Sequence, residues 1–421
     1  MRRECGSRVG ATQPVFFAHF GEEGIRGSER VLLDLLAHLD RERFRPLVWC
    51  NSETMASAVK SLDTPVRVVE MPVLLGWQPP RFALGAYCRL RDEAGAFMAR
   101  ENVAVAHANS GAPNQWLVPA ARRARVPVVA HLHAHYVLRD RCTLRLHEAT
   151  MIVGCSNAVV APFAAEGIAA QRLRTIPNGV DVARLGAGSA SGLRAALGIP
   201  DDAVVITAIG ALVALKGFDV LLRAAARMVG QGMAVRLLVI GDGVEERALR
   251  ALSVSLGLSA HVHFLGRRAD VGAILRDVTD IVAAPSRQEA FGLTVAEAAV
   301  FAKPAVASDV PGLRETVMSG DTGILAPAGD NEALADALAR LVADPALRAR
   351  MGSRAREHAR LHFTVDAMAS AFADLYSDCI RLPYRARRGF VLEPWARLSR
   401  QWGGNRLRAL GQPPASGIAH A

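Results

Sequence analysis

Residues 285–307 have the sequence PSRQEAFGLTVAEAAVFAKPAVA, in which Glu289 and Glu297 flank the tripeptide Phe291-Gly292-Leu293. A short apolar run at 280–284 precedes this stretch and the apolar segment 304–307 ends it, so the pattern predicts strand, loop, helix and strand. A helix that begins near Phe291 has free N–H groups at its first residues, and such an N-terminus favours anions such as phosphate. The stretch therefore predicts a site for a phosphorylated ligand, with a carboxylate at each end to hold hydroxyl groups.

The spacing of the two glutamates proves little by itself. Glu93 and Glu101 have the same separation within a segment that has the pattern of an ordinary amphipathic helix. What distinguishes Glu289 and Glu297 is their setting, with a glycine at the expected helix start and apolar strands on both sides.

The composition indicates a globular protein of two domains. A chain of 421 residues is too long for one ordinary core, and 51% hydrophobic against 21% charged residues confines any disorder to the ends. The net charge of +10 favours acidic partners, which include phosphates, anionic lipid and nucleic acid. Six cysteines without a C-x-x-C pair predict neither a zinc site nor a disulfide framework. Because no apolar run has the length of a membrane span or a signal-peptide core, we expect a cytoplasmic protein.

A strand, a glycine loop and a helix are predicted near the amino terminus. The apolar segment 14–20 precedes the polar loop Gly21-Glu-Glu-Gly24-Ile-Arg26-Gly27, and Ser28 is predicted to cap the helix that follows. Such a unit brings a ligand close to the backbone at the carboxyl edge of a parallel sheet, although the fingerprint G-x-G-x-x-G is absent. A tight structural turn is the alternative interpretation.

Strands and helices alternate through the rest of the first half, which predicts a doubly wound parallel sheet. His107 and His133 are predicted at strand ends, where a histidine can bind a substrate or simply be a satisfied polar residue of the rim. His131, His133 and His135 share one side of an extended segment. No carboxylate or cysteine nearby completes a convincing ligand set with them, so we expect no metal site.

A segment of small residues, 183–192, is predicted to link two domains that span 1–184 and 193–362. In the second domain the alternation resumes, and helices are predicted at 332–342 and 345–376. Residues 363–380 are expected to return to the first domain. The tail 381–421 has eight arginines and one acidic residue between Arg381 and Arg408, interleaved with apolar and aromatic residues. Such a segment suits the surface of an anionic membrane, and a packing extension or a disordered tail is the alternative.

In these motifs the chain resembles the retaining glycosyltransferases of family 4, which have the GT-B fold. The resemblance covers about residues 14–376, and its motifs are Glu289-Ala-Phe-Gly-Leu to Glu297-Ala, Lys216-Gly217, Gly241-Asp-Gly243 and Ile176-Pro-Asn-Gly-Val-Asp181. Several weak motifs in the family's order make one specific signal. The resemblance implies two doubly wound parallel-sheet, Rossmann-like domains that face each other across a cleft, with a nucleotide-sugar donor held mainly by the second.

The resemblance also implies a role for four side chains. Glu297 would accept hydrogen bonds from the ribose hydroxyls of the donor. Lys216 would neutralise the diphosphate together with the N-terminus of the predicted helix. Glu289 would hold hydroxyls of the transferred sugar, and His133 would bind a sugar hydroxyl or the charge that develops in the reaction.

Other positions are implied to contribute mainly through the backbone or the loops. The resemblance implies that the glycine loop approaches donor phosphate and acceptor, and that no bound metal or other cofactor is needed. The remaining donor-binding positions are Phe291, Gly292, Leu293, Gly210, Gly266 and Arg267, and those of the glycine loop are Gly24, Arg26 and Gly27.

One position departs from the family's pattern. Family members usually have arginine directly after the first glycine of the phosphate loop, whereas this chain has Gly210-Ala211-Leu212. Losing a charge-assisted hydrogen bond to phosphate costs roughly 1.5–3 kcal/mol, so weaker donor binding is expected unless another group compensates. Our hypothesis is that Arg26 or Arg287 supplies the missing charge.

The function expected from the resemblance is sugar transfer to an acceptor hydroxyl, in the synthesis of cell-surface polysaccharide, lipopolysaccharide or glycolipid. The expected partners are a nucleotide-sugar donor, a carbohydrate or lipid-linked acceptor, and an anionic inner membrane face reached by the basic tail. Two alternatives remain: an epimerase or phosphorylase on the same fold, and a basic nucleic-acid-binding or scaffold protein. The second is disfavoured, because aromatic residues are only 5% and the arginines are dispersed.

Overall fold

The computed structural model describes residues 12–76 and 82–383, which form two parallel β-sheets flanked by helices. The first sheet has the order β3-β2-β1-β4-β5-β6-β7. Its strands are β1 Gln13–His19, β2 Phe44–Cys50, β3 Val66–Val68, β4 Val105–Asn109, β5 Val128–Leu132, β6 Met151–Gly154 and β7 Leu173–Thr175. The second sheet has the order β10-β9-β8-β11-β12-β13. Its strands are β8 Val204–Ile209, β9 Val235–Ile240, β10 Val262–Gly266, β11 Ile281–Ala284, β12 Ala305–Ser308 and β13 Gly323–Ala326.

Helices connect these strands, as parallel pairing requires. In the first half they are α1 Gly27–His38, α2 Glu53–Lys60, α3 Leu84–Arg100, α4 Asn114–Ala124, α5 Leu138–Thr143, α6 Asn157–Ala165, α7 Val182–Leu185 and α8 Leu193–Ala196. In the second half they are α9 Phe218–Gly230, α10 Glu246–Ser255, α11 Val271–Asp277, α12 Leu293–Val300, α13 Pro311–Arg314, α14 Asn331–Ala343, α15 Pro345–His362 and α16 Val365–Arg381. The prediction of two doubly wound parallel sheets is therefore confirmed.

The strands are apolar because helices cover both faces of each sheet. In the second sheet, Val205 and Ile206 on β8 are both buried although they point to opposite faces. On one face α9 presents Leu221 and Leu222 to the core, which also includes Leu338 of α14. This burial of both faces fixes the sheet and leaves its carboxyl edge for the polar residues that follow the strands.

The chain folds into two compact units, and it passes between them at places other than the predicted linker. The first unit comprises the chain up to Gly154, Val160–Ile176 and the described residues from Met368, and the second comprises Cys155–Val159 and Pro177–Ala367. The segment predicted as a linker, 183–192, belongs to the second unit. It is held there because Arg276 donates to the carbonyls of Gly186 and Gly188, and Asp277 accepts from the Ala190 N–H.

The helix predicted over 345–376 is two helices, α15 and α16, separated at Phe363 and Thr364. These two residues are instead paired with the segment that enters the second unit. Val180 donates its N–H to the Phe363 carbonyl at 2.8 Å, and Val180 and Thr364 form a parallel β-bridge. The chain re-enters the first unit at Met368, within α16.

Two further expectations concern membranes. None of the helices within the described ranges is both long enough and apolar enough to cross a bilayer. The basic tail predicted to bind an anionic surface lies outside the described residues from position 384 onward.

Candidate functional site

In the second unit, the predicted donor residues gather where the strand order reverses. The sheet order runs outward from β8 in one direction to β10 and from β11 in the other direction to β13. In parallel sheets a ligand binds outside the carboxyl ends of the strands at such a switch point. Gly210 follows β8 and Pro285 follows β11, so the loops that carry Lys216 and Glu289 leave the sheet side by side.

Glycines allow these loops to pack backbone against backbone. A Cβ on Gly241 would lie 1.9 Å from the Gly210 carbonyl oxygen, and a Cβ on Gly217 would lie 2.1 Å from the Pro285 carbonyl oxygen. The Gly217 backbone is also left-handed, with φ of +66°. A side chain at either position would push the loops apart. Gly217 and Gly241, which belong to two of the sequence motifs, therefore set the distance between the phosphate loop and its neighbouring loops, in addition to forming turns.

Lys216 and Glu289 form the polar centre of this edge. Lys216 Nζ lies 2.7 Å from Glu289 Oε2, which also accepts a hydrogen bond of 3.0 Å from the Ser286 hydroxyl. Both charged side chains are largely covered, with 21% and 13% of their surfaces exposed. The aliphatic stem of Lys216 passes over Gly210, where a Cβ would lie 3.8 Å from it. The structure thus brings together three predicted positions, and it adds Ser286, which the sequence analysis missed.

The helix that carries Glu297 begins two residues later than predicted. The backbone at Gly292 is left-handed, with φ of +90°, so α12 cannot begin before Leu293. Glu297 consequently lies one turn inside the helix. The side chain of Phe291 is buried and meets the ring of Phe363 edge-on at 5.3 Å. Phe291 can therefore contribute only backbone to a ligand, while its ring anchors the loop.

Gly266 and Arg267 lie at the end of the neighbouring strand β10. Gly266 has a left-handed backbone with φ of +63°, and its carbonyl accepts a 2.8 Å hydrogen bond from the Gly241 N–H. The Arg267 guanidinium lies 3.8 Å from Asp242 and its side chain is 45% exposed. Both positions therefore border the same edge of the sheet as Gly210.

The two arginines proposed to replace the charge missing at Ala211 are already paired. Arg287 donates to both carboxylate oxygens of Asp219, at 2.8 and 2.7 Å, and to the Ala214 carbonyl at 2.7 Å. The bidentate Arg287 beside it lowers the pKa of Asp219. Arg287 thus ties the Glu289 loop to α9. Arg26 belongs to the first unit, where its guanidinium lies 3.4 Å from Glu22.

The glycine loop of the first unit leads directly into α1. Gly24 has a left-handed backbone with φ of +100°. Gly27 is the first helical residue and Arg26 is the N-cap, so the prediction that Ser28 caps the helix is wrong. Ser28 lies within the first turn because the hydrogen bonds of the helix begin before it, with the Arg30 N–H bonded to the Arg26 carbonyl at 2.9 Å.

His133 follows β5 at the carboxyl edge of the first sheet and is 7% exposed. Its Nε2 lies 2.9 Å from Asn109 Oδ1, and its Nδ1 is buried without a hydrogen-bond partner among the described residues. Burial, followed by the neighbouring His19, lowers the pKa of His133 to about 3. Contact between His133 and a sugar stays a prediction, and it requires Nδ1 to become uncovered.

The prediction that His107 lies at a strand end is wrong, because β4 continues to Asn109. His107 is fully buried and its Nδ1 lies 2.7 Å from the Tyr376 hydroxyl. Burial lowers its pKa to about 3. His131 is fully buried as well and contacts the Phe372 ring, with 4.7 Å between ring centroids. Nowhere in the described ranges do three His, Cys, Asp or Glu side chains form a group able to hold a metal ion.

A buried carboxylate, Glu29, its partner His19 and the adjoining Asn109 were not predicted from the sequence. Glu29 Oε1 lies 3.0 Å from His19 Nε2, and Glu29 Oε2 accepts a 3.1 Å hydrogen bond from the Arg26 N–H. One signal was present in the sequence: an acidic residue in the first turn of a helix, at the position where a carboxylate bonds back to the N-cap N–H. The other signal, the polar pair at the ends of β1 and β4, becomes visible only once those strands are known to be neighbours.

Comparisons with known proteins agree with this architecture. Residues 25–184 match the family described as Glycosyltransferase Family 4, and residues 191–358 match Glycosyl transferases group 1. A D-inositol 3-phosphate glycosyltransferase of Saccharomonospora viridis is 40% identical over 232 residues, which are 52% of this chain and 52% of that protein. A Corynebacterium jeikeium protein of the same name is 38% identical over 229 residues, 52% of this chain and 54% of that protein. The chain thus matches about half the length of these curated relatives.

A solved structure is similar along nearly the whole chain. The crystal structure of Anabaena Alr3699/HepE in complex with UDP and glucose is 25% identical, with a TM-score of 0.74, and covers 87% of this chain and 100% of that one. This similarity and the two family matches together cover both units. The chain belongs to the group 1, family 4 glycosyltransferases of the GT-B fold.

Proposed function

We propose that this chain transfers a sugar from a nucleoside diphosphate sugar to an acceptor hydroxyl, with retention of the anomeric configuration. The observation that carries the proposal is the contact between Lys216 and Glu289 at the switch point, 2.7 Å from Nζ to Oε2. A cation and a carboxylate at one edge suit a ligand with a diphosphate and several hydroxyl groups. The UDP and glucose bound by Anabaena Alr3699/HepE support a donor of this class.

Each residue of the site has a proposed part in the transfer. Lys216 and the first N–H groups of α12 stabilise the negative charge that grows on the diphosphate as its bond to the anomeric carbon breaks. Glu289 then receives hydroxyls of the transferred sugar in place of the ammonium. Glu297, one turn into α12, accepts hydrogen bonds from the ribose. The acceptor oxygen bonds to the anomeric carbon on the face that the diphosphate leaves, and the hydroxyl proton passes to the departing diphosphate. Attack on that face retains the anomeric configuration.

We propose that no resident metal takes part, because Lys216 and the N-terminus of α12 supply the positive charge. Activity that persists in excess EDTA is the expected result. Loss of activity in EDTA, restored by Mg²⁺ or Mn²⁺, would contradict this part of the proposal.

The acceptor has two candidates. The names of the curated relatives favour a phosphorylated cyclitol such as D-inositol 3-phosphate. The net charge of +10 and the arginine-rich tail favour a lipid-linked or polysaccharide acceptor at the inner face of a membrane. Release of UDP that depends on one acceptor class and not the other decides between them. Release that depends on water or inorganic phosphate instead would indicate the epimerase or phosphorylase alternative.

A thermal-shift panel of UDP-, GDP- and ADP-sugars tests donor binding, because a ligand that binds only the folded chain raises the unfolding temperature. We expect one nucleotide class to give a clear shift, and Glu297→Ala to reduce that shift. Glu93→Ala is the matched control, since Glu93 has the same sequence relation to Glu101 but lies on α3 and pairs with Arg67. A shift that survives Glu297→Ala intact would exclude the ribose role, and no shift with any nucleotide would exclude the donor.

Membrane association is a separate part of the proposal and rests on the sequence of the tail. Removing residues 381–421 should abolish binding to vesicles that contain anionic lipid, because this tail has eight arginines and one acidic residue between Arg381 and Arg408. Undiminished binding of the shortened chain would remove the membrane from the proposal without affecting the donor site.

A further inference from the structure

In the first unit, Glu29 joins the glycine loop to the end of β1. Its side chain is buried, although it lies in the first turn of α1. Oε2 accepts hydrogen bonds from the Arg26 N–H at 3.1 Å and from the Ser28 hydroxyl at 3.2 Å, and Oε1 lies 3.0 Å from His19 Nε2. A buried carboxylate needs such donors, and here they come from the loop on one side and from β1 on the other.

The Ser28 carbonyl oxygen, which can only accept hydrogen bonds, sets the orientation of the Asn109 amide. Asn109 Nδ2 lies 3.1 Å from the Ser28 carbonyl oxygen, so the amide nitrogen, not the oxygen, must face it. The second N–H of the amide then points to His19 Nδ1 at 2.9 Å. The amide oxygen is left to face His133 Nε2 at 2.9 Å.

These contacts determine where the protons lie. His133 must carry its proton on Nε2, because Asn109 Oδ1 can only accept. His19 must carry a proton on Nε2, because the Glu29 carboxylate 3.0 Å away can only accept. Its Nδ1 lies 2.9 Å from Asn109 Nδ2 and 3.2 Å from the Asn109 backbone carbonyl oxygen, so in the neutral ring Nδ1 accepts from the amide. Every hydrogen bond from His133 through Asn109 and His19 therefore runs toward the one carboxylate.

The glycine loop lies directly on this chain of contacts. A Cβ on Gly21 would lie 2.1 Å from Glu29 Oε1 and 2.7 Å from His19 Nε2. The Gly21 backbone is held in place by Asn51, which accepts from the Gly21 N–H at 2.9 Å and donates to the Gly21 carbonyl at 2.8 Å. The loop backbone at Gly21 therefore lies against the buried side chains of Glu29 and His19.

We propose that Glu29 is a positioning residue, which holds the glycine loop through the Arg26 N–H and, by accepting the Nε2 proton of His19, supports the Asn109 amide that bonds the Nε2 proton of His133. The inference rests on the proposed function, because the loop and His133 are the parts of the first unit expected to approach the sugar. In the free chain the only ring nitrogen of His133 left to accept a hydrogen bond is Nδ1. A sugar hydroxyl that reaches His133 must therefore donate to it.

The proton positions can be measured without any substrate. In protein labelled with [¹⁵N]histidine, long-range ¹H–¹⁵N correlation at pH 7 should show His133 and His19 both as Nε2–H, with each signal assigned from its His→Gln variant. In Glu29→Gln, an amide N–H replaces a carboxylate oxygen and can face His19 Nε2. His19 then moves to the Nδ1–H form, which donates to the Asn109 backbone carbonyl 3.2 Å away and no longer accepts from the Asn109 amide. The His19 signals change, and the His133 signals change with the displaced amide.

The chain offers a matched control in Glu166→Gln. Glu166 is also a buried carboxylate of the first unit, and its Oε2 lies 2.6 Å from His147 Nε2. Its pKa is lowered like that of Glu29; in both, burial raises the pKa but hydrogen bonds, foremost from the histidine, outweigh it. Glu166→Gln should leave the signals of His19 and His133 unchanged.

A second variant keeps the test open if Glu29→Gln does not fold. Asn109→Asp retains an oxygen facing His133 but removes the donor facing His19. His133 should keep its Nε2 proton, while His19 gains a proton on Nδ1. An Nδ1–H form of His133 in the unmodified chain, or unchanged His19 signals in both variants, would overturn the proposal.

Kinetics separate a positioning role from general damage. With UDP-glucose as the probe donor and release of UDP as the readout, Glu29→Gln should lower kcat by roughly tenfold or more. KM for UDP-glucose should change much less than kcat, since the donor is held mainly by the other unit, and Glu166→Gln should change neither. Equal effects of the two variants on kcat would overturn the proposal. If the unmodified chain turns over no nucleotide sugar, the proposed function fails. The proton positions of His133 and His19 still decide whether the hydrogen bonds run toward Glu29 as proposed.

Discussion

The ammonium of Lys216 lies 2.7 Å from Oε2 of Glu289, although the two residues are 73 positions apart. The contact joins the loop after β8 to the loop after β11, so both groups are in place before a ligand arrives. Because each neutralises the other, neither charge is left uncompensated in a largely covered site. A diphosphate would draw the ammonium away and leave the carboxylate to accept hydroxyl groups.

Replacing Lys216 by alanine should therefore weaken nucleotide binding. Loss of a charge-assisted hydrogen bond of roughly 1.5–3 kcal/mol corresponds to a ten- to hundredfold higher Kd for UDP. Calorimetric titration with UDP measures the change, and Lys60→Ala, on α2 in the first unit, is the control. If the two lysine variants bind UDP equally well, Lys216 does not contact the diphosphate.

Restoring the arginine that is typical of the family should have the opposite effect. Ala211 is only partly buried in the loop after Gly210, so a longer side chain has room to leave the loop. Ala211→Arg is expected to lower Kd for UDP roughly tenfold, by adding one charge-assisted hydrogen bond to the diphosphate. Ala211→Gln adds similar bulk without charge and serves as control. An equal gain in both variants would show that the effect is not electrostatic.

The sequence predicted the sheets, and it placed the proposed donor residues at one sheet edge, because short-range patterns control both. Apolar strands buried on both faces are visible as continuous apolar runs, and Glu289, Lys216 and Gly210 follow such runs. The start of α12 was predicted two residues too early, because the left-handed backbone of Gly292 depends on tertiary packing. A Cβ on Gly292 would lie 2.6 Å from the Leu313 side chain. Nothing local to Gly292 reveals Leu313.

Long-range pairing explains two other differences. Arg287 was one of the two arginines proposed to supply the missing charge, but it is paired with Asp219, which lies 68 positions away on α9. His107 was expected at a strand end, but its partner Tyr376 lies 269 positions away on α16. Polar residues such as these are indistinguishable in sequence from ligand-binding ones until their partners are known.

The close contact of the phosphate loop with the Glu289 loop predicts different costs for two similar glycines. Gly217 and Gly232 both have left-handed backbones, with φ of +66° and +78°. A Cβ would lie 2.1 Å from the Pro285 carbonyl at Gly217, whereas at Gly232 it would meet no described heavy atom within 4 Å. Gly232→Ala should cost roughly 1–2 kcal/mol from the backbone alone, and Gly217→Ala about 1–3 kcal/mol more from overpacking.

Urea unfolding of the two variants measures these free energies. Gly217→Ala should also lose UDP affinity, because a displaced loop moves Lys216, while Gly232→Ala should bind UDP normally. Equal stabilities and equal affinities would mean that the two loops are not in the contact described.

The buried histidines of the first unit should make its stability fall on mild acidification. Burial lowers the pKa of His107 and of His133 to about 3 in the folded chain. An unfolded histidine titrates near 6.5, so between these values only the unfolded chain binds the protons, and acid favours unfolding. For each of these two histidines, the free energy of unfolding should fall by about 2 kcal/mol between pH 7 and pH 5.

His107→Phe removes one of these two groups and tests the linkage. The phenyl ring suits the site, since the His107 ring already lies 5.0 Å from Phe17 and 5.3 Å from Phe372. Losing the hydrogen bond to Tyr376 should lower the free energy of unfolding by the same amount at every pH. The fall in that free energy between pH 7 and pH 5 should be about 2 kcal/mol smaller in the variant than in the unmodified chain. Denaturant unfolding at pH 5, 6 and 7, followed by the fluorescence of buried Trp49 and Trp116, reports on the first unit. An unchanged pH dependence in the variant would mean that His107 takes up its proton in the folded chain as readily as in the unfolded one.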